Sequence, residues 1–358
     1  MSTTLTLSTP SGLVHRPILA NPPRPALPSE IPLINISPIF SSSVTARQSV
    51  ASQIRQAATT SGFFYITDHG IPPSLLTTAY TSALDFFHLP AEQKDAVHTR
   101  HATHHKHKFG WRGFESTRIN PYESNDIRES FSWGYDPRHD PSVSTIDAIP
   151  KEAMEYLKME DFPWSNTSPE FKQGVVELWQ AVLKLGRAML RVFALALGLE
   201  EHALDEKFTY PDAAVALNWY PTQKAGSGDG DVSIGSHTDF QLFTVLWQDV
   251  VGGLQVLNTD GQWLLAKPVE GALVVNFGDY MERITNGKWK STVHRVVNRS
   301  GKERLSMAFF FGFGLHESCG ALDTCVEEGE EKKYDEVGCY EWTQMRLRAM
   351  HVKTAEEE

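Results

Sequence analysis

The stretch Ala213-Ala214-Val215-Ala216-Leu217-Asn218-Trp219-Tyr220 changes the period of the chain to two. Val215, Leu217 and Trp219 fall on one side, and Ala216, Asn218 and Tyr220 on the other, which is the alternation of a strand. Short strands with turn signals between them are predicted to follow at Gln241–Trp247, Leu254–Leu257, Gln262–Leu265, Ala272–Phe277, Thr292–Val297 and Leu305–Phe311. Asp260-Gly261 carries the signature of a two-residue hairpin turn. Six or seven short strands at this spacing argue for a sandwich or jelly roll and against a βαβ sheet.

Upstream, the period is mixed. Residues 1–30 are rich in Ser, Thr and Pro and read as an unstructured arm, because Pro22, Pro23, Pro25 and Pro28 forbid a regular helix. A short strand is predicted at Ile31–Ile36, a helix at Val44–Ser61, an aromatic strand at Gly62–Thr67 and a second helix from Pro73 to Phe87. A short helix follows at Ala91–Val97, and Glu129–Gly134 alternates like a strand. Ser168-Pro169-Glu170 is a helix start with a capping Ser, and apolar residues at spacings of three and four carry that helix to Leu197. A last helix is expected at Tyr340–Met350. The expected organisation is an N-terminal arm (1–30), a mixed α/β region (31–165), scaffold helices (166–212), a β core (213–315) and a C-terminal helical extension (316–358).

Composition excludes some functions. The 358-residue chain has a net charge of −11 and a pI near 5.7, so it lacks the basic face that phosphate backbones require. No apolar run is long enough to span a bilayer, and the N-terminus lacks the pattern of a secretory signal. Three cysteines, Cys319, Cys325 and Cys339, suit a reduced, cytoplasmic protein. No protein partner is evident. Five histidines within His98–His107 read as a polar loop, since no carboxylate or defined element arranges them as ligands.

Of the fourteen histidines, only His237 heads a His-x-Asp. His237 and Asp239 project together from a strand, and one further His, His294, lies fifty-five residues on from Asp239. That is the ligand pattern of a two-His-one-carboxylate site for iron(II), which leaves coordination positions open. Arg304 and Ser306 share one strand face ten and twelve residues past His294, and Asn218 and Tyr220 share another. An Arg cannot ligate a metal. Its planar fork beside the triad points to a carboxylate partner. Phe310 lies on the Arg304 face, and Phe240 with Phe131 and Trp133 completes an aromatic candidate substrate pocket.

The chain resembles the iron(II)- and 2-oxoglutarate-dependent dioxygenases of the isopenicillin N synthase-like group, found in fungal and plant small-molecule pathways. The likeness rests on the order of Ile31-Pro32-Leu33-Ile34, Gly62-Phe63-Phe64, His69-Gly70-Ile71-Pro72, Phe86-Phe87-His88-Leu89-Pro90 and Glu129-Ser130-Phe131. It continues through Asn218-Trp219-Tyr220-Pro221, His237-Thr238-Asp239, Val275-Asn276-Phe277-Gly278-Asp279, Thr292-Val293-His294-Arg295 and Arg304-Leu305-Ser306. The resemblance implies a double-stranded β-helix (jelly roll) core with flanking helices. His237, Asp239 and His294 would be the iron ligands. Arg304 and Ser306 would bind the distal carboxylate of 2-oxoglutarate, with Tyr220 and Asn218 as further contacts and Phe310 against the substrate. Dioxygen would be consumed, with ascorbate as a reductant, and a C–H bond of a small molecule would be hydroxylated, desaturated or rearranged. The rivals are an oxidase of the isopenicillin N synthase type that needs no 2-oxoglutarate, a non-catalytic jelly-roll binding protein, and a zinc hydrolase on the same ligands.

Overall fold

The computed structural model describes residues 2–102, 109–114, 117–157, 159–223 and 232–350. It opens with a hairpin, β1 (Ser2–Thr9) and β2 (Gly12–Leu19), and the two-residue β3 (Arg24–Pro25). β4 (Leu33–Asn35), α1 (Val44–Thr60), β5 (Phe63–Thr67), α2 (Pro73–Phe87) and α3 (Ala91–Asp95) follow. Next come β6 (Gly110–Arg112), β7 (Glu129–Trp133), the one-turn α4 (Lys151–Met154) and the long α5 (Pro169–Ala196). The core strands are β8 (Asp212–Tyr220), β9 (Ile234–His237), β10 (Phe243–Gln248), β11 (Leu254–Leu257), β12 (Trp263–Leu265) and β13 (Leu273–Phe277). After α6 (Asp279–Ile284) come β14 (His294–Val296) and β15 (Arg304–Gly312). A small ribbon, β16 (Ser318–Cys319) with β17 (Val337–Gly338), and α7 (Cys339–Met350) close the chain.

Two sheets pack face to face. The major sheet runs β4-β5-β13-β10-β15-β8-β7-β6 and the minor sheet β3-β12-β11-β14-β9. This is the jelly roll expected from the short alternating strands. The major sheet draws β4 to β7 from the N-terminal half, so the 31–165 segment and the β core share one layer. Alternation divides the major sheet into two faces. Leu305, Met307, Phe309 and Phe311 of β15 join a core with α5, whereas Arg304, Ser306, Ala308 and Phe310 line a cavity facing the minor sheet.

The helix layer fixes the outer face. Ser168 caps α5 by accepting a hydrogen bond from the Phe171 N–H at 3.1 Å. Gly186 of α5 lies against the Phe311 ring, where a Cβ would come within 3.1 Å. That close approach seats the helix directly on β15. Glu129 of β7 points into the same layer and accepts from Lys94 Nζ (2.6 Å) and Trp111 Nε1 (2.7 Å).

Two expectations are corrected. Residues 2–30 are not an unstructured arm. Thr4-Leu5-Thr6-Leu7-Ser8 alternates, and Leu5 and Leu7 bury against Leu257, Trp263 and Val293. Even the proline-rich part adds β3 to the edge of β12. Asp260-Gly261 is not a two-residue hairpin either, because Leu257 pairs with Trp263 and leaves a five-residue loop between them. Asn258 Oδ1 organises that loop by accepting from the N–H groups of Asp260 and Gln262. Of the histidine-rich stretch, His98 and His101 lie around a single 3-10 turn, and His104, His105 and His107 lie outside the described residues.

Candidate active site

β9 ends in His237, the following loop carries Asp239, and β14 begins with His294, which pairs in register with His237. Their ligand atoms lie within 4.8 Å of one another, and both imidazole Nε2 atoms stand 3.8 Å from Asp239 Oδ1. Among the described residues this is the only cluster of three or more His, Cys, Asp or Glu that could hold a metal.

The surroundings fix which atoms face the site. His237 Nδ1 lies 2.8 Å from the Gly235 carbonyl and His294 Nδ1 lies 3.1 Å from that of Thr292. A carbonyl only accepts, so Nδ1 donates in each ring and Nε2 keeps its lone pair. Asp239 Oδ2 accepts from Thr244 Oγ1 (2.6 Å) and Asn276 Nδ2 (2.7 Å), which leaves Oδ1 turned to the two rings. Burial, with the neighbouring His294 adding to it, pushes the His237 imidazole down to about 3 and keeps it neutral. Burial opposes ionisation of Asp239. The two imidazoles and the Asn276 and Thr244 donors outweigh it and hold the carboxyl below its usual range. Two imidazole nitrogens and one carboxylate oxygen with settled outer partners suit a divalent first-row metal.

A second polar cluster sits across the same cavity. Arg304 pairs with Tyr220 and Ser306 with Asn218 along the β15–β8 ladder. The Arg304 side chain is 1% exposed, donates to Ser306 Oγ (3.0 Å) and Gln248 Oε1 (3.2 Å), and lies 4.7 Å over the Tyr220 ring. Among the described residues no carboxylate comes within 4.0 Å of it. Asp249, the acid nearest in sequence pairing, accepts instead from the Leu305 and Val251 N–H groups. Arg304 Nε and Tyr220 OH are buried without partners. A buried cation and a buried hydroxyl left unsatisfied side by side are costly unless an anion completes them. Asn218 lines the cavity too and accepts from Arg128 Nη1.

The cavity holding both clusters has a volume of about 370 Å³ and is walled by Phe310, Phe240, Phe63, Ala214, Ala216 and Ala308, among others. Phe310 and Phe240 both line this cavity. Phe131 and Trp133 do not. They are on the predicted strand but on its other face, buried with Phe86, Trp164 and Phe171. Their neighbours Ser130 and Ser132 line the cavity instead. Residues that sequence reasoning missed are Thr244, Asn276 and Gln248, which hold the triad and Arg304, and the cavity arginines Arg112 and Arg128. Asn276 could have been found, since it alternates onto the cavity face of β13; the arginines lie where the sequence shows no clear period.

Comparison with known proteins agrees with this geometry. Residues 211–313 match the model of the 2OG-Fe(II) oxygenase superfamily, and residues 31–152 match that of the non-haem dioxygenase in morphine synthesis N-terminal region. A 2-oxoglutarate-Fe(II) type oxidoreductase, ppzC, of Metarhizium rileyi is 49% identical over 97% of this chain and 94% of its own. The chain belongs to the 2-oxoglutarate/iron(II) oxygenases. Within this family, the 2-oxoglutarate-dependent dioxygenase citB of Monascus ruber is 33% identical over 84% of this chain and 90% of its own. A full-length Neurospora crassa protein, solved as a crystal structure in complex with α-ketoglutarate, is 27% identical, with a TM-score of 0.75 over 90% of this chain and 96% of that one. This oxygenase is thus an oxidoreductase that uses iron(II), 2-oxoglutarate and dioxygen. No helix among its described residues is long and apolar enough to cross a membrane.

Proposed function

We propose that His237, Asp239 and His294 bind the iron, that Arg304 and Ser306 bind the distal carboxylate of 2-oxoglutarate, and that Tyr220 and Asn218 complete the co-substrate site. The observation that carries this is the buried Arg304, which has no carboxylate partner among the described residues and faces the triad's cavity. It also favours this reading over a zinc hydrolase, which would give Arg304 no task. With iron(II), 2-oxoglutarate and dioxygen bound, the centre couples oxidative decarboxylation of the co-substrate to oxidation of a substrate C–H bond.

The protein's own part is positioning. Thr244 and Asn276 hold Asp239, backbone carbonyls hold both imidazoles, and Gln248 and Ser306 hold the Arg304 fork. Asn276→Ala takes one of two donors from Asp239 Oδ2. It is expected to weaken iron(II) binding roughly 10- to 100-fold, the usual effect of losing an outer partner of a metal ligand, as read by anaerobic iron titration.

The substrate is a small organic molecule, since the cavity of about 370 Å³ falls in the range of small-molecule sites and is largely apolar. Secondary metabolism in the cytoplasm fits the fungal relatives and the three free cysteines. Phe310 and Phe240 form its aromatic wall. Phe310→Ala is expected to raise the substrate KM while leaving 2-oxoglutarate turnover without substrate unchanged; the reverse pattern would place Phe310 outside the substrate's reach. Succinate released in step with product, and none without 2-oxoglutarate, tests the reaction. Oxygen uptake and product formation without 2-oxoglutarate would instead favour an oxidase of the isopenicillin N synthase type.

A further inference from the structure

The cavity has a second basic pole that the co-substrate leaves unused. Arg112 of β6 and Arg128, the residue before β7, both line it. The register runs Arg112, Ser130, Asn218, Ser306 across β6, β7, β8 and β15. Arg112 therefore stands three strands from Ser306, roughly 14 Å at the usual strand spacing. One small dicarboxylate anchored at Arg304 and turned to the triad leaves that edge open.

Charge does not balance there without a ligand. Iron(II), Asp239, dianionic 2-oxoglutarate and Arg304 cancel one another. Among the described residues, what remains is Arg112 and Arg128 against Asp126. Asp126 Oδ2 is 3.4 Å from Arg128 Nη2, but it also accepts from Thr117 Oγ1, and its other oxygen accepts from the Gly235 N–H. Arg128 Nη1 is spent on Asn218, and its Nε is buried without a partner. The Arg112 side chain has no hydrogen bond or ion pair among the described residues, although its backbone pairs with Ser130. Burial and the nearby Arg128 both press its pKa below the ordinary guanidinium value. The other acid lining the cavity, Asp212, lies six residues from Asn218 along β8, roughly 20 Å away, and is bonded to Gln241.

We propose that the organic substrate is a carboxylate, held by Arg112 and Arg128 at the β6–β7 edge so that its apolar body lies along Phe310 and Phe240 toward the triad. Ser130 and Ser132, inward on β7, supply hydroxyls beside the same group. The assignment rests on the reading of Arg304 as the co-substrate anchor. It makes Arg112 a specificity residue, since a neutral substrate would leave its charge uncompensated in the cavity.

The test uses the full chain loaded anaerobically with iron(II) and saturating 2-oxoglutarate. A set of aromatic and alicyclic carboxylic acids, each paired with its methyl ester, is titrated by calorimetry. Acids are expected to bind at least about tenfold tighter than their esters, the scale of losing one partner of a buried charge pair. Arg112→Gln is expected to bring acid and ester within about twofold, and Arg112→Lys to restore part of the preference. The visible band of bound 2-oxoglutarate is expected to be the same in both variants, which shows the fold and co-substrate site intact. Acids that show no preference over their esters, or an R112Q variant that keeps the preference, overturn the proposal. Failure of 2-oxoglutarate to bind the unaltered protein would overturn the co-substrate reading instead, and that band reports it separately.

Discussion

Asp239→Ala is expected to abolish 2-oxoglutarate turnover, by well over the roughly hundredfold that losing an outer partner of a metal ligand costs. Its carboxylate is the one anionic group in the triad, and it stands 3.8 Å from both imidazole Nε2 atoms. Without it, two neutral rings face the site with no charge to hold a dication. The change also strands the Thr244 hydroxyl and the Asn276 amide, which now donate to Asp239. Each buried donor left unsatisfied costs about 1–3 kcal/mol, so a lower melting temperature is expected as well. Iron content separates the two effects. A folded variant that keeps one equivalent of iron would contradict the assignment of Asp239 as a ligand.

Arg304→Met is expected to separate function from stability in opposite directions. Removing the fork strips a charge-assisted, two-point contact from the co-substrate, and truncating one partner of such a buried pair costs about 3 kcal/mol, or roughly a hundredfold in the KM for 2-oxoglutarate. Free of ligand, the same change removes a buried guanidinium that has no counter-ion among the described residues and an unpartnered Nε. Relief of a buried charge on replacement by an apolar chain of similar size offsets the loss of its hydrogen bonds to Ser306 and Gln248. The ligand-free variant should therefore melt no lower than the unaltered protein, and the stabilisation that 2-oxoglutarate confers should be largely gone. Arg304→Lys keeps the charge and loses the planar fork, so it should fall between them. A variant that melts much lower and keeps its KM would make Arg304 a structural residue.

The parts of this molecule that were legible in the sequence are those where one period runs unbroken. β8 and β15 are nine residues each, and alternation alone puts Arg304 with Ser306 and Asn218 with Tyr220; that the two pairs meet is set by the β15–β8 ladder. α5 was readable from its Ser168 cap to its end because one face is apolar throughout. Phe131 and Trp133 were not legible in this way. Aromatic character marks a core as readily as a pocket, and alternation of β7 against Asn218 puts Ser130 inward. The N-terminal hairpin was not legible because proline-rich composition downstream outweighs five alternating residues, although Leu5 and Leu7 carry the signal. Arg112 and Arg128 lie on a three-residue strand and a loop, too short for any period to show which way they point.

The most direct measurement is anaerobic titration of the iron(II) protein with 2-oxoglutarate, followed by the visible charge-transfer band. One band saturating at one equivalent in the unaltered protein is expected, with the midpoint moved roughly a hundredfold in Arg304→Met and no band in Asp239→Ala. A band of equal strength and midpoint in all three proteins would contradict the site.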